Sequence, residues 1–247
     1  MNSFNANKIK DDIILWIMDF FEHNGKDCNA IVGISGGIDS SVVATLCVEA
    51  LGKERVIGVK MPDGYQEDED IADMLINHLG IKSYRMDIEG AKLELYNQAL
   101  CENNIHLTEQ AKINLNPRLR MATLYFVSQS MNGRVANTSN KSESWVGWDT
   151  RGGDNLGDFS PLFNLTKTEI KQLAKELKLP AEIANKVPID GLCGKTDENS
   201  FGFTYDVLDK YIRTGEINDQ AIKEKIDAMH NKNLFKLQPM PSFDLKI

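Results

Sequence analysis

Positive charge, clustered cysteine and long apolar runs are all scarce in this chain, and each shortage removes a class of function. With 28 Lys and Arg against 36 Asp and Glu, the formal charge is −8. No broad basic field is available to hold duplex nucleic acid. An anionic small molecule remains compatible where cations and backbone amides are locally concentrated. Cys28, Cys47, Cys101 and Cys193 are scattered, without the close spacing of a zinc knuckle or redox pair. Their scarcity suits a reducing compartment. The apolar stretch 13–21 follows Asp11 and Asp12, is interrupted by Asp19 and has no small-residue cleavage site after it. It is therefore no secretory signal, and no run reaches membrane-spanning length. The expectation is a soluble, cytoplasmic protein with neither a membrane nor a nucleic-acid partner.

What is present is an ordinary globular composition, 42% hydrophobic over 247 residues, enough for one large α/β domain spanning 1–247. Ile9, Ile13, Trp16, Ile17, Phe20 and Phe21 fall on one side of a first helix that stops near Asn24-Gly25. Residues 30–34 read as a buried strand, 39–51 as a helix and 55–61 as the next strand. That succession is a βαβ unit and implies a parallel sheet with a right-handed crossover. The alternation continues with a helix at 67–79, a strand at 83–88, helices at 91–102 and 108–131, and a short strand at 134–137. Thr166 and Glu169 have capping-box spacing at another helix start, and helices are expected at 205–213 and 218–231. The fold class is α/β, an open parallel sheet flanked by helices. The polar, glycine-rich stretch 138–159 is long for a structureless connection, which marks it as a binding loop or lid.

The most informative octet is Gly33-Ile34-Ser35-Gly36-Gly37-Ile38-Asp39-Ser40. It joins a strand to a helix, where free amides and the helix dipole favour an anion, and its glycines let a phosphate approach. No Gly-Lys-Ser/Thr triplet follows, so it is not a Walker loop. The third glycine of a dinucleotide fingerprint is also missing. Asp39 alone would repel a phosphate; it makes sense as a ligand of a bridging Mg²⁺. Read singly, a Gly-Gly pair is more often a plain turn with Asp39 as helix cap.

The string Ser-Gly-Gly-x-Asp-Ser after an apolar strand resembles the pyrophosphate loop of the N-type ATP pyrophosphatases. Three further clusters narrow the resemblance. Asn114-Leu-Asn-Pro-Arg118-Leu-Arg120-Met121 is placed at a helix start, its two arginines pointing in different directions. Asn137-Thr138-Ser139-Asn140-Lys141-Ser142-Glu143 follows a strand. There Glu143 reads either as a Mg²⁺ ligand or as a favourable first-turn acid. Gly147-Trp148-Asp149-Thr150-Arg151-Gly152-Gly153-Asp154 runs on to Asp158 and Leu165-Thr166-Lys167. In order and approximate spacing these clusters resemble ammonia-dependent NAD synthetase, as do Pro188-Ile-Asp-Gly-Leu192, Thr196-Asp-Glu198, Phe201-Gly-Phe-Thr-Tyr205 and the Lys236 tail.

The resemblance implies a Rossmann-like adenine nucleotide alpha hydrolase fold. It implies ATP-dependent amidation of deamido-NAD to NAD through an acyl-adenylate, releasing AMP and pyrophosphate. Carried over, the stretch 33–40 (Gly33, Ile34, Ser35, Gly36, Gly37, Ile38, Asp39, Ser40) would bind ATP with Lys60, Thr138 and Lys167. Asp39 and Glu143 would be the catalytic Mg²⁺ ligands. Arg118, Arg151, Asp158, Phe235 and Lys236 would meet deamido-NAD. No glutamine-hydrolysing domain is expected, so nitrogen is expected to arrive as free ammonia or from a separate partner. A homodimer follows from the same resemblance, with the Phe20/Phe21 helix and the helix after Arg118 as its surface. The sequence departs from the family pattern at Ile189 (usually Ser or Thr), Phe235 (often His), Arg151 (commonly Lys) and Asn137 (usually Gly). Two rivals stay open: an ATP pyrophosphatase with another acceptor, and a non-catalytic nucleotide sensor.

Overall fold

The computed structural model describes residues 4–65, 69–184, 186 and 196–244. Helix α1 (Ala6–Asn24) begins at Asn5, whose side chain accepts the amide of Lys8. Ile17 and Phe21 are buried on its inner face, with Ile9, Ile13 and Phe20 packed on the same core. Trp16, expected on that face, is 45% exposed beside Leu15 and Met18. It lies at the edge of the apolar stripe, where its ring stacks on Phe20.

The chain then runs β1 (Asn29–Gly33), α2 (Ile38–Leu51), β2 (Val56–Lys60), α3 (Glu69–Leu79), β3 (Lys82–Arg85), α4 (Glu89–Asn97), α5 (Glu109–Ser130) and β4 (Gly133–Ala136). All strand pairs are parallel, in the order β3-β2-β1-β4. Ala30 of β1 lies between Val56 and Arg134. Ala30 and Val32 join the core under α1 and α2, whereas Ile31 joins Met121, Leu124 and Val127 of α5 on the other face. Successive strand residues point to opposite sides, and helices cover both, so β1 is apolar throughout its middle.

Beyond β4 come α6 (Lys141–Val146), α7 (Lys167–Glu176), α8 (Ala181–Ala184), α9 (Asp197–Phe201), α10 (Tyr205–Thr214) and α11 (Gln220–Leu237). Val146, Phe201, Phe203, Tyr205, Leu208 and Ile226 form a separate apolar cluster among them. Among the described residues, no helix is long and apolar enough to cross a membrane.

Three expectations are revised. The stretch 138–159 contains a helix, α6, because Asn140 caps it by accepting the Glu143 amide at 3.0 Å. Arg118 sits inside α5, not at its start: the helix runs through Pro117, whose missing amide leaves only the Ile113 carbonyl one turn back without its donor. The helix expected at 91–102 ends as α4 at Asn97 and continues as a π turn, Gln98–Glu102. The Pro188–Leu192 match, the Ile189 departure, Cys193 and the first residues of the helix expected at 67–79 lie outside the described residues.

Candidate active site at the strand switch point

From β1 the chain moves outward to β2 and β3, then returns to place β4 on the other side of β1. Loops leaving β1 and β4 therefore diverge and leave a crevice at the carboxyl ends of these strands, where open α/β sheets bind ligands. The phosphate loop leaves β1, and the segment carrying Thr138, Asn140 and Glu143 leaves β4.

Gly36 has φ +77°, a left-handed conformation that favours glycine. The helix cap is Gly37, not Asp39; Asp39 stands in the first turn of α2, and the amides of Ile38, Asp39 and Ser40 have no helical carbonyl behind them. Ser35, Ser40 and Ser41 brace the turn: the Ser40 hydroxyl donates to the Gly37 carbonyl at 3.1 Å and that of Ser41 at 2.7 Å. Ile34 lies just before it, its amide bonded to the Val59 carbonyl of β2.

Asp39, Glu143 and Lys167 converge. The Lys167 ammonium, 2% exposed, donates to Asp39 Oδ2 at 2.6 Å and to Glu143 Oε1 at 2.7 Å. Asn140 Nδ2 donates to the other Asp39 oxygen at 3.1 Å, and the Tyr205 ring lies 5.3 Å from the ammonium. Burial alone would lower the Lys167 amine; the two carboxylates outweigh it and hold it above its ordinary range. Burial, reinforced by Asp39 and opposed by Lys167, pushes the Glu143 carboxyl up to about 7. Lys186 adds a cation at the loop, its Nζ 3.3 Å from the Gly36 carbonyl.

A second group gathers at the loop after α6. Arg118 donates to the Arg151 carbonyl at 3.3 Å, whereas Arg120 turns the other way to the Met61 carbonyl at 3.0 Å. The Arg151 guanidinium lies 5.6 Å from the Phe235 ring centre. Lys236 donates to the carbonyls of Gly147 and Asp149, both at 2.7 Å. Gly147 is left-handed, and a Cβ there would meet Asn233 at 2.1 Å. Asn137, in place of the family glycine, ties the loop from within. Its amide donates to the carbonyls of Asp154 and Leu156, and its oxygen accepts from the Ser139 amide and Ser160 hydroxyl.

Two other candidate residues are held by protein partners. Asp158 accepts the Val135 amide of edge strand β4 at 2.7 Å, and Lys60 pairs with Asp73 at 2.5 Å and Glu69 at 3.3 Å. Lys60 still borders a narrow cleft with Ile34, Met61 and Pro62 at the carboxyl end of β2. Asn140, Lys186 and Tyr205 have no role in the sequence reading. Asn140 was legible as a helix cap; nothing local marks the others.

The family model described as NAD synthase matches residues 9–246. The chain belongs to that family. It is 44% identical to the NH(3)-dependent NAD(+) synthetase of Methanococcus aeolicus over 83% of this chain and 80% of the relative. It is 37% identical to that of Finegoldia magna over 94% and 95%. Among solved structures, an NMN synthetase from Francisella tularensis superposes with a TM-score of 0.89 at 30% identity, covering 98% of this chain and all of the other. The NH3-dependent NAD synthetase of Campylobacter jejuni superposes with a TM-score of 0.79 at 29% identity, over 97% of this chain and 100% of that one. The NAD synthase family thus accounts for the adenine nucleotide alpha hydrolase architecture of the sheet.

Proposed function

We propose that this protein amidates deamido-NAD to NAD with ATP and ammonia, the final step of NAD biosynthesis. The carrying observation is the meeting of Asp39 and Glu143 on one buried lysine beside the phosphate loop. The loop amides cradle the departing pyrophosphate, and Lys167 neutralises phosphate charge. Arg118 and Arg151 hold the anionic acid substrate, with Asp158, Phe235 and Lys236 shaping its side of the cleft. The substrate carboxylate attacks the α-phosphorus, an O–P bond forms and the bond to the β-phosphate oxygen breaks. Ammonia then attacks the acyl carbon and AMP leaves with the C–O bonding pair. The protein's part is positioning and charge neutralisation, which is where such reactions gain most of their rate.

Mg²⁺ fits the donor set. Among the described residues no group of three or more His, Cys, Asp and Glu could hold a metal alone. Two carboxylates completed by substrate phosphates and water are the usual Mg²⁺ arrangement. Asp39 and Glu143 would hold the ion, which when bound offsets charge on the phosphates. A homodimer belongs to the same reading. Its surface is Leu15, Trp16 and Met18 of α1 with Phe126 of α5, all exposed, since Phe21 turns inward.

The test is pyrophosphate release and NAD formation with ATP, Mg²⁺ and ammonium, with and without deamido-NAD. Both products appearing only with deamido-NAD is the expected result; ATP binding without pyrophosphate release sinks it. A second reading has one specific observation behind it: the superposition on an NMN synthetase exceeds that on the Campylobacter enzyme, 0.89 against 0.79. On that reading the acid is nicotinic acid mononucleotide. Comparing kcat/KM for the mononucleotide and dinucleotide decides between them.

A further inference from the structure

Lys167 and Glu143 lie on different helices, 24 positions apart, so something must hold the first turns of α6 and α7 in register. The Lys167 backbone amide donates to the Ser142 hydroxyl oxygen at 2.9 Å. The Ser142 hydroxyl donates in turn to Asp209 Oδ1 at 2.5 Å, and Asp209 Oδ2 accepts the Thr168 amide at 2.7 Å. Ser142 is the residue before Glu143. One carboxylate from α10 thereby joins the first turn of the helix bearing Glu143 to the first turn of the helix bearing Lys167.

Helix capping alone does not explain this acid. α7 already has a box in which Glu169 Oε2 accepts the Thr166 amide at 2.8 Å. Asp209 is 3% exposed and Ser142 fully buried, so the carboxylate is held where burial penalises its charge. A buried, fully engaged carboxylate of this kind fixes its partners in a single arrangement.

We propose that Asp209, acting through Ser142, is a positioning residue that sets the Lys167 ammonium against Asp39 and Glu143 for the adenylation step. The inference rests on the function proposed for that site. Without Asp209, the Lys141 amide still meets the Leu165 carbonyl and the Lys167 amide still meets Ser142. The carboxylate that orients the Ser142 hydroxyl and holds the Thr168 amide is lost, and the ammonium is no longer held toward both acids and the phosphates together. Asp209→Asn keeps an acceptor for Thr168 and offers an amide to the Ser142 oxygen, so it restores part of the register.

Asp209→Ala, Asp209→Asn, Ser142→Ala and the Asp209→Ala/Ser142→Ala pair are compared with wild type and with the exposed control Asp206→Asn. Outer-shell losses of this kind cost about 10–100-fold. That loss is expected in kcat for Asp209→Ala and Ser142→Ala, with KM for the acid substrate within about 2-fold and Asp209→Asn between them and wild type. The double variant is expected to lose no more than the worse single variant, as two members of one chain should. A kcat within about 3-fold of wild type in Ser142→Ala or Asp209→Ala, or multiplicative losses in the pair, overturns the proposal. Calorimetric titration with ATP and Mg²⁺ supplies a readout apart from turnover, with affinity expected to weaken about 5-fold in Ser142→Ala. If wild type turns over neither acid, the functional reading falls. The relay is then judged by that titration alone, and an unchanged Kd overturns it.

Discussion

The two halves of the cleft are built differently. Around Asp39, Glu143 and Lys167 the contacts are charged side chain to charged side chain, and the central lysine is buried. Around Arg118, Arg151 and Lys236 the contacts are side chain to backbone carbonyl, and Phe235 is 52% exposed. The first half is anchored by strands β1 and β4 and α7, the second by the end of α11 gripping a loop. Precise charge placement belongs on rigid elements, where partners cannot drift. A large acid substrate is better served by a surface that side chains trim without carrying the fold.

The comparison breaks first at the carboxylates. Glu143→Ala and Asp39→Ala should each lower kcat by about 10²–10³-fold, the usual scale for one lost transition-state charge partner. KM for the acid substrate should stay near normal; near-normal turnover at saturating ATP and Mg²⁺ would show that these acids are only structural. Lys167→Ala should be the most destabilising change in the cleft. It leaves two partly buried carboxylates without their cation, a loss of about 3 kcal/mol, seen as a lower Tm. Because Mg²⁺ replaces the missing charge, the added ion should raise the Tm of Lys167→Ala more than that of wild type. An equal response would separate the metal from these acids.

Asn137→Gly should cost about 1 kcal/mol, since the Leu156 carbonyl loses its donor while the Asp154 carbonyl keeps the Ser139 hydroxyl. Denaturant unfolding measures it, and an unchanged midpoint would show that water takes over the amide's role. The pH dependence sharpens the contrast further. Glu143 has its carboxyl raised to about 7, so its protonated form gains as pH falls through that value. Metal ligands must be deprotonated, so apparent Mg²⁺ affinity should weaken below about pH 7, and Glu143→Gln should remove that dependence. The smallest effect is expected at the rim. Phe235→Ala removes a contact worth about 0.5–1 kcal/mol at an exposed site, raising KM for the acid about 2–5-fold with kcat unchanged.

Much of the loop after β1 was legible because local rules govern it. A glycine turn between an apolar strand and a helix leaves free amides at the helix start, while Asp39 and Glu143 were singled out through the family resemblance. The strand alternation likewise gave the parallel sheet. The group around Arg118, Arg151 and Lys236 was read only as a set of residues. Arg118 was placed at a helix start although the helix expected at 108–131 already contains it, and α5 runs through Pro117. Asp158 was assigned to substrate through the family resemblance, whereas in the structure its carboxylate accepts the Val135 amide at the edge of β4. That contact depends on where the strand order ends. Asn137 was noted as a departure, but its side-chain hydrogen bonds to the loop depend on a chain path no local pattern encodes.

By itself, the sequence determined the alternating elements and the glycine turn between β1 and α2, because hydrophobic period, glycine freedom and helix ends act over a few residues. Only the tertiary structure decided that β4 returns beside β1, so that Glu143 meets an aspartate 104 positions earlier in the chain across Lys167. It also decided that Asp209 reaches the first turns of α6 and α7. These meetings come from packing helices on both faces of a four-stranded sheet, and that packing is a property of the whole chain.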